Sequence, residues 1–399
     1  MLIFRYSLFI MKKITYSLAL LFISIFANAQ TNILRFNANI MLPKDSIESK
    51  KLTTSLNDFL VSAQKSNEEN KFIYEPEKLE TFILLDEING IEKSAKYKDD
   101  FFFKPYLTNA VMLKDSTYLI QVSYIGVNDN LPILRASFEF IAHKTNITFT
   151  YSSPLIRNTK NWKVEKAGSH IFHYQYQINK DKVKEYNKVA SFVDNKLNIK
   201  SIITDYYCTD NIVELQKLIG VDYKSDYNGR LESIWSSSLG DKKLVVYGNA
   251  NSSFNEFDPH DLFHNRLSLV ISRSKTNRPV DEGCAYLYGG SWGYTWKEIF
   301  KEFDSQIASN KNINWTEIKE TPVQFKTGKY SNSADYIVNA LLVKKIEKEK
   351  GFAGVWELLT IGPFEKGNEK YYQTLEKLIG ISKANYNEKV WELIKAERN

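Results

Sequence analysis

Hydrophobic positions along the chain follow two periods. Between Asp45 and Ser66, the residues Ile47, Leu56, Phe59, Leu60 and Ala63 fall near one face of a helix. The period then shortens to two. Val111 and Leu113 run into the polar turn Lys114-Asp115-Ser116, and Tyr118, Ile120, Val122 and Tyr124 alternate beyond it. Ala136, Phe138, Phe140 and Ala142 repeat the alternation, as do Ile147, Phe149 and Tyr151. One helical face over a long antiparallel sheet is the expected result, an α+β layer. The polar stretch from Asn158 to Ser169 reads as a boundary.

Past that boundary the pattern mixes. Phe172, Tyr174, Tyr176 and Ile178 alternate as a strand, and Val183, Tyr186, Ala190, Val193 and Leu197 are spaced as an amphipathic helix. Ile202, Ile203, Tyr206 and Tyr207 suggest another strand, and Leu244 to Tyr247 a short apolar one. Trp296, Ile299, Phe300, Phe303 and Ile307 mark a helix. The last third is helical over Tyr336 to Lys348, Val355 to Leu359, Tyr371 to Ile379 and Glu388 to Lys395, punctuated by Gly351, Gly362 and Gly380. No internal repeat is present. The expected fold class is α+β, with one domain over residues 30–168 and a second over 169–399.

Composition narrows the function. The 399 residues suit two domains, and 43% hydrophobic with 14% aromatic residues suffices for two cores. The first 29 residues read as a signal peptide. Met11-Lys12-Lys13 is a positive start, Ile14 to Phe26 an apolar run, and Ala27-Asn28-Ala29 a small-residue cleavage site before Gln30. Leu2 to Ile10 is expected to precede the true start at Met11, because Arg5 interrupts its apolar run. An uncleaved anchor is disfavoured, since the run is short for a span. No cysteine follows the cleavage site, which disfavours a lipid anchor, and no later segment is apolar enough to cross a bilayer. The expected product is exported, periplasmic or secreted.

Charge excludes one partner class. The leader holds Arg5, Lys12 and Lys13 and no acid, so the remainder has 53 − 3 = 50 basic against 47 acidic residues, a net of +3. That balance gives no nucleic-acid footprint. Export permits a disulfide between Cys208 and Cys284, and two buried free thiols are the other reading.

The chemistry concentrates in Asp258-Pro259-His260-Asp261-Leu262-Phe263-His264. The chain has only five histidines, and two of them stand here four residues apart. On a helix those positions share a face, so both imidazoles can grip one zinc ion. The intervening acid can reach a water on that metal. Asp258 can cap the helix and Pro259 suits its first turn. Leu262, Phe263, Leu267, Val270 and Ile271 give the helix an apolar face that would bury it without any metal.

Two histidines leave a zinc site incomplete. Downstream lies Asp281-Glu282-Gly283-Cys284-Ala285-Tyr286. Here the chain resembles the gluzincin metallopeptidases, in particular the peptidase MA-like group. Those proteins follow a histidine helix with a second helix carrying the third ligand in an [N/D]-E-G-x-A-x-[Y/F] context. The resemblance implies His260, His264 and Glu282 as zinc ligands and a peptide or protein as substrate. It extends to Tyr206-Tyr207-Cys208-Thr209-Asp210-Asn211 and the Leu218-Ile219-Gly220 stop, similar to the strand and helix before the metal helix in that group. Tyr330 to Leu341 resembles its later helix, which implies Tyr330 as stabiliser of the tetrahedral oxyanion. About the last 230 residues are covered; the N-terminal part instead resembles, by pattern alone, a cystatin-like or nuclear-transport-factor-like cone.

The departure is Asp261, which stands where the usual H-E-x-x-H pattern has glutamate. Aspartate is shorter by one C–C bond, about 1.5 Å. A misplacement near that size costs around a hundredfold in rate. Two readings stay open. In one, the chain is a zinc peptidase with Asp261 as general base and acid, and Val245 to Asn251 as the edge strand that pairs with an extended peptide. In the other it is a non-catalytic, peptidase-derived binding protein of the cell envelope. His170 and His173, three apart on a strand, point to opposite faces and read as structural. His143 is expected to be exposed at a strand end, and Cys284 to serve packing. Trp292-Gly293-Tyr294 beside Gly289-Gly290 reads as a cleft wall or a packed turn. No phosphate-binding loop, nucleotide-binding glycine pattern or serine nucleophile elbow is present.

Overall fold

Both periods become ordered elements. The structure is a computed structural model that describes residues 32–36, 39–200, 202–308 and 312–398. The expected signal peptide and its cleavage site lie outside the described residues. In chain order the elements begin with helices α1 (Ser46–Ser62) and α2 (Lys78–Ile88) and strands β1 (Lys104–Met112), β2 (Tyr118–Asn128), β3 (Leu131–Lys144) and β4 (Phe149–Ser152). Then come α3 (Leu155–Asn158), β5 (Lys163–Ala167), β6 (His170–Tyr174), α4 (Lys180–Leu197), β7 (Ile203–Thr209), α5 (Ile212–Ile219) and β8 (Val221–Lys224). Strands β9 (Ser233–Leu239) and β10 (Lys242–Gly248) precede α6 (Pro259–Leu267), α7 (Arg278–Gly289), α8 (Trp296–Ile307) and α9 (Trp315–Glu320). The hairpin β11 (Gln324–Thr327) and β12 (Tyr330–Ser333) leads into α10 (Ala334–Leu359), α11 (Glu369–Ile379) and α12 (Tyr386–Glu397). The chain is α+β, as expected. Among the described residues no helix is long and apolar enough to cross a membrane.

The described residues form two compact units, the first made of those within 32–161 and 211–237. Its sheet runs β1-β2-β3-β4, with β8 also paired to β3. The alternating residues of β2 and β3 bury Tyr118, Ile120, Val122, Phe138 and Phe140. Helix α1 covers them: Phe59 meets Phe140 edge-on at 5.4 Å and Tyr151 at 5.0 Å. Asp45 caps α1 by accepting from two backbone N–H groups. Ile47 and Ile147 depart from the expected pattern and are exposed, one in the first turn of α1 and the other in the β3–β4 turn.

The expected division into residues 30–168 and 169–399 does not describe these units. The reason is β8, which pairs antiparallel with β3, Ala136 opposite Lys224. Glu139 N–H also donates to the Gly220 carbonyl at 2.8 Å. Gly220 ends α5 at φ +101, and a Cβ there would collide with the Glu139 backbone. The segment expected as a boundary, 158–169, contains β5, an edge strand. Its side chains are polar because it lies at a sheet margin. His143 is not the exposed residue expected. Its Nε2 lies 2.9 Å from Ser152 Oγ, its ring stacks on Tyr74 at 3.7 Å, and burial pushes its pKa down to about 4.

The second unit comprises residues 162–210 and 238–399. Its strands belong to the sheet β5-β6-β7-β10-β9, of whose last strand only residues 238–239 fall in this unit. Strand β6 is antiparallel to β5 and parallel to β7, and β7 is parallel to β10. The connection between parallel β6 and β7 carries α4, whose expected face, Val183, Tyr186, Ala190 and Val193, is buried. Strand β10 has β7 on one side and β9 on the other, so Val245 to Asn251 is not the open edge expected.

The helical remainder packs around α7 and α10. A Cβ on Gly283 of α7 would lie 2.8 Å from the Asn339–Ala340 backbone of α10, so only glycine permits that approach. Helix α10 joins the two segments expected as separate helices, with a break at Gly351, φ +67. Cys208 and Cys284 are free thiols buried in different hydrophobic clusters, which removes the disulfide reading.

Candidate metal centre

Helix α6 sits between two cores. Leu262 packs with Phe172, Tyr206 and Phe254, whereas Phe263 and Leu267 join the helical cluster of Val280, Cys284 and Ile337. Val270 is not on that face, because α6 ends at Leu267. Arg266, buried, donates two hydrogen bonds to Asp194 of α4 at 2.5 and 2.6 Å, which fixes the rotation of α6 about its axis. The helix begins as its sequence dictates. The Asp258 carboxylate accepts from His260 N–H at 2.8 Å, and Pro259 fills the first helical position.

Anchored in this way, α6 sends His260 and His264 out on one side. Their Nε2 atoms are 3.1 Å apart. Glu282 of α7 places Oε2 3.4 Å from His260 Nε2 and 3.7 Å from His264 Nε2. Donors of a tetrahedral zinc site with bonds of about 2.0–2.1 Å stand about 3.3 Å apart. The three side chains therefore fit a divalent cation in both donor chemistry and spacing.

The outer ring nitrogens fit as well. His260 Nδ1 donates to the Gly290 carbonyl at 2.7 Å, and His264 Nδ1 faces Asp281 Oδ1 at 2.8 Å. A donor at each Nδ1 leaves each Nε2 with its lone pair inward, the tautomer that metal ligation needs. The Gly290 carbonyl reaches His260 because Gly290 adopts φ +77, ψ −151, a glycine conformation. At Gly289 any Cβ would meet the Pro259–His260 peptide. The glycine pair is thus part of the site. The sequence marks the pair only as the neighbour of a cleft wall or packed turn, since a doubled glycine gives no hint of which carbonyl it turns.

Electrostatics follow from the same contacts. Burial alone would lower the pKa of His264, but hydrogen bonds to Asp281 and Glu282 outweigh it and raise it to about 9. Burial would raise Glu282, but the two imidazoles hold it well below the usual carboxylate range. Asp281→Asn is expected to keep the fold and weaken zinc binding by about 10–100-fold, because the amide supports His264 less well than the anion does. Competition against a chromophoric chelator measures this.

The centre opens into a cleft of about 610 Å³ lined by Asp261, Arg278, Tyr286, Trp292, Tyr336 and others. Asp261 is exposed on α6 and shares the cleft with His260 and Glu282. Tyr330, implied as an oxyanion stabiliser, is not among the lining residues. It lies on β12 rather than in the helix implied for it, and its ring stacks on Trp292 at 4.9 Å. Tyr286 and Tyr336 line the cleft instead. Burial, with Glu282 nearby, pushes Tyr336 above its ordinary value, and burial does the same for Tyr286, so both remain O–H donors at neutral pH. Tyr286 stands one turn after Glu282 on α7, a spacing that could have flagged it. Tyr336 had no such signal.

The remaining histidines stay apart from this trio. His170 is buried with Nδ1 3.1 Å from Asn187 Oδ1, and His173 pairs with Asp205 at 2.7 Å while stacking on Tyr207. They lie on opposite faces of β6, as expected, and each has partners of its own. No family model, curated protein or solved structure matches this chain.

Proposed function

We propose that the chain is an exported zinc peptidase that holds the ion with His260, His264 and Glu282 and hydrolyses peptide bonds in the cleft beside them. The observation that carries this reading is the convergence of three donor atoms at 3.1–3.7 Å, each imidazole held from behind by Gly290 or Asp281. When bound, zinc supplies Lewis acidity, which polarises a carbonyl and makes water more acidic. The chain's own residues do the rest. Asp261 takes the proton of the attacking water and returns it to the leaving amine. Of the two cleft tyrosines, Tyr336 is the O–H donor for the oxygen on which charge develops, since the Tyr286 hydroxyl already donates to Asn332 Oδ1 at 2.9 Å.

Asp261→Asn is expected to keep zinc and lower hydrolysis by about a hundredfold or more, since an amide cannot accept the proton. Asp261→Glu lengthens the arm and is expected to raise the rate. A peptide library incubated with zinc-loaded wild type, both Asp261 variants and His264→Ala as blank measures this. Equal signal from wild type and blank rejects the enzyme and favours the second reading, a non-catalytic binding protein. The short Asp261 and the position of Tyr330 away from the cleft lining are what favour that alternative.

A further inference from the structure

The hairpin β11–β12 has one closed edge and one open edge. Ala334 N–H donates to Val323 O, so the pairs 332–325 and 330–327 carry the remaining ladder bonds. Ser331, Ser333, Gln324 and Lys326 then direct their backbone groups away from the hairpin. On the β11 side Lys326 is satisfied, because its N–H and carbonyl both bond the Gln306 side chain at 3.1 and 2.6 Å. On the β12 side the Ser333 N–H meets the Tyr286 hydroxyl. The N–H and carbonyl of Ser331 have no hydrogen-bond partner among the described residues. Ser331 and Ser333 line the same cleft as His260 and Glu282. The buried Ser333 hydroxyl also lacks a partner there.

The charge of that cleft is one-sided. Asp258, Asp261 and Glu320 line it and form no ion pair among the described residues, while the one arginine, Arg278, leans on Glu282 at 3.5 Å. Open strand groups call for an extended backbone, and unpaired acids call for cationic side chains.

We propose that β12, through the Ser331 N–H and carbonyl, is the strand on which an extended basic peptide adds beside the metal centre, its lysine or arginine side chains meeting Asp258 and Glu320. This replaces β10, which is flanked on both sides, and names the substrate class of the site proposed above, on which it rests.

The test is fluorescence anisotropy of a labelled octapeptide of alternating alanine and lysine, added to the full chain in EDTA so that turnover is stopped. Wild type and Ser331→Ala, which keep the backbone groups, are expected to bind alike. Ser331→Pro removes an N–H that the β11 ladder does not use, so the hairpin tolerates it and the peptide loses its partner. Affinity should fall about tenfold, the loss of one well-made hydrogen bond with its register. The same peptide N-methylated along its backbone should lose as much on wild type, a result that does not depend on how any variant folds. A peptide with glutamate in place of lysine should bind at least about tenfold more weakly, an effect screened by salt. No binding to wild type, undiminished binding of the N-methylated peptide, or equal affinity for the glutamate peptide overturns the proposal. Because the measurement is made without metal, it can succeed where the zinc assignment fails, and the reverse.

Discussion

His264→Ala is expected to leave the protein without stoichiometric zinc, where wild type is expected to take up one ion per chain. Two donors remain after the substitution, and a catalytic zinc site needs three. Removing a supporting residue behind a ligand already costs about 10–100-fold in affinity, so removing the ligand itself should exceed that. Metal analysis after zinc dialysis decides it: equal zinc in the variant rejects the ligand set, and zinc-free wild type rejects the site. The pH dependence supplies a second readout. In the metal-free chain the His264 pKa is raised to about 9 by Asp281 and Glu282, against an ordinary value of 6.5. Its ion pairing therefore contributes stability that is complete below pH 6.5 and is lost as pH rises through about 9. Zinc must displace that proton. Below pH of about 9 its uptake should release a proton from His264, and apparent affinity should climb with pH until it levels there. Titration in buffers of different ionisation heat reads the released proton directly.

Lys319→Met is expected to give the largest loss of stability. Lys319 and Asp335 are 1% and 2% exposed, and the ammonium lies 3.2 Å from both carboxylate oxygens. Burial pushes Lys319 down and Asp335 up, and each partner opposes the shift of the other. The network continues through Asn339, which donates to Asp335 at 2.9 Å and accepts from the Tyr371 hydroxyl at 2.8 Å. The Tyr371 ring lies 4.0 Å below the ammonium. Removing the lysine strands a buried carboxylate, which costs about 3–5 kcal/mol. For a unit of this size that is on the order of 10 °C in melting temperature. Calorimetry tests it, and an unchanged melting temperature would mean the pair contributes nothing. Lys319→Met combined with Asp335→Asn removes both charges and keeps an acceptor for Asn339, so it should recover most of the loss. Neither variant touches a metal ligand, and zinc content should stay at the wild-type level.

Local signals in the sequence determined a good deal. The alternation of Tyr118 to Tyr124 and Ala136 to Ala142 fixed two strands and their buried faces, because a period of two admits no other element. The Asp258-Pro259 start and the four-residue spacing of His260 and His264 placed both imidazoles on one helix face, since capping and helical periodicity act within a few residues. Glu282 was legible only through its surrounding motif, and the structure brings it to the same point.

Contacts distant in the chain lay beyond reach. The return of 211–237 to the first unit depends on β8 finding β3, and four residues of strand carry no address for their partner. That β10 is interior and β12 open depends on which strands flank them, a property of the sheet and not of either strand. The turn of the Gly290 carbonyl toward His260, the stacking of Tyr330 on Trp292, and the entry of Tyr336 into the cleft follow from how α7, β12 and α10 pack. Periodicity sets which face of an element is buried; only packing sets what that face meets.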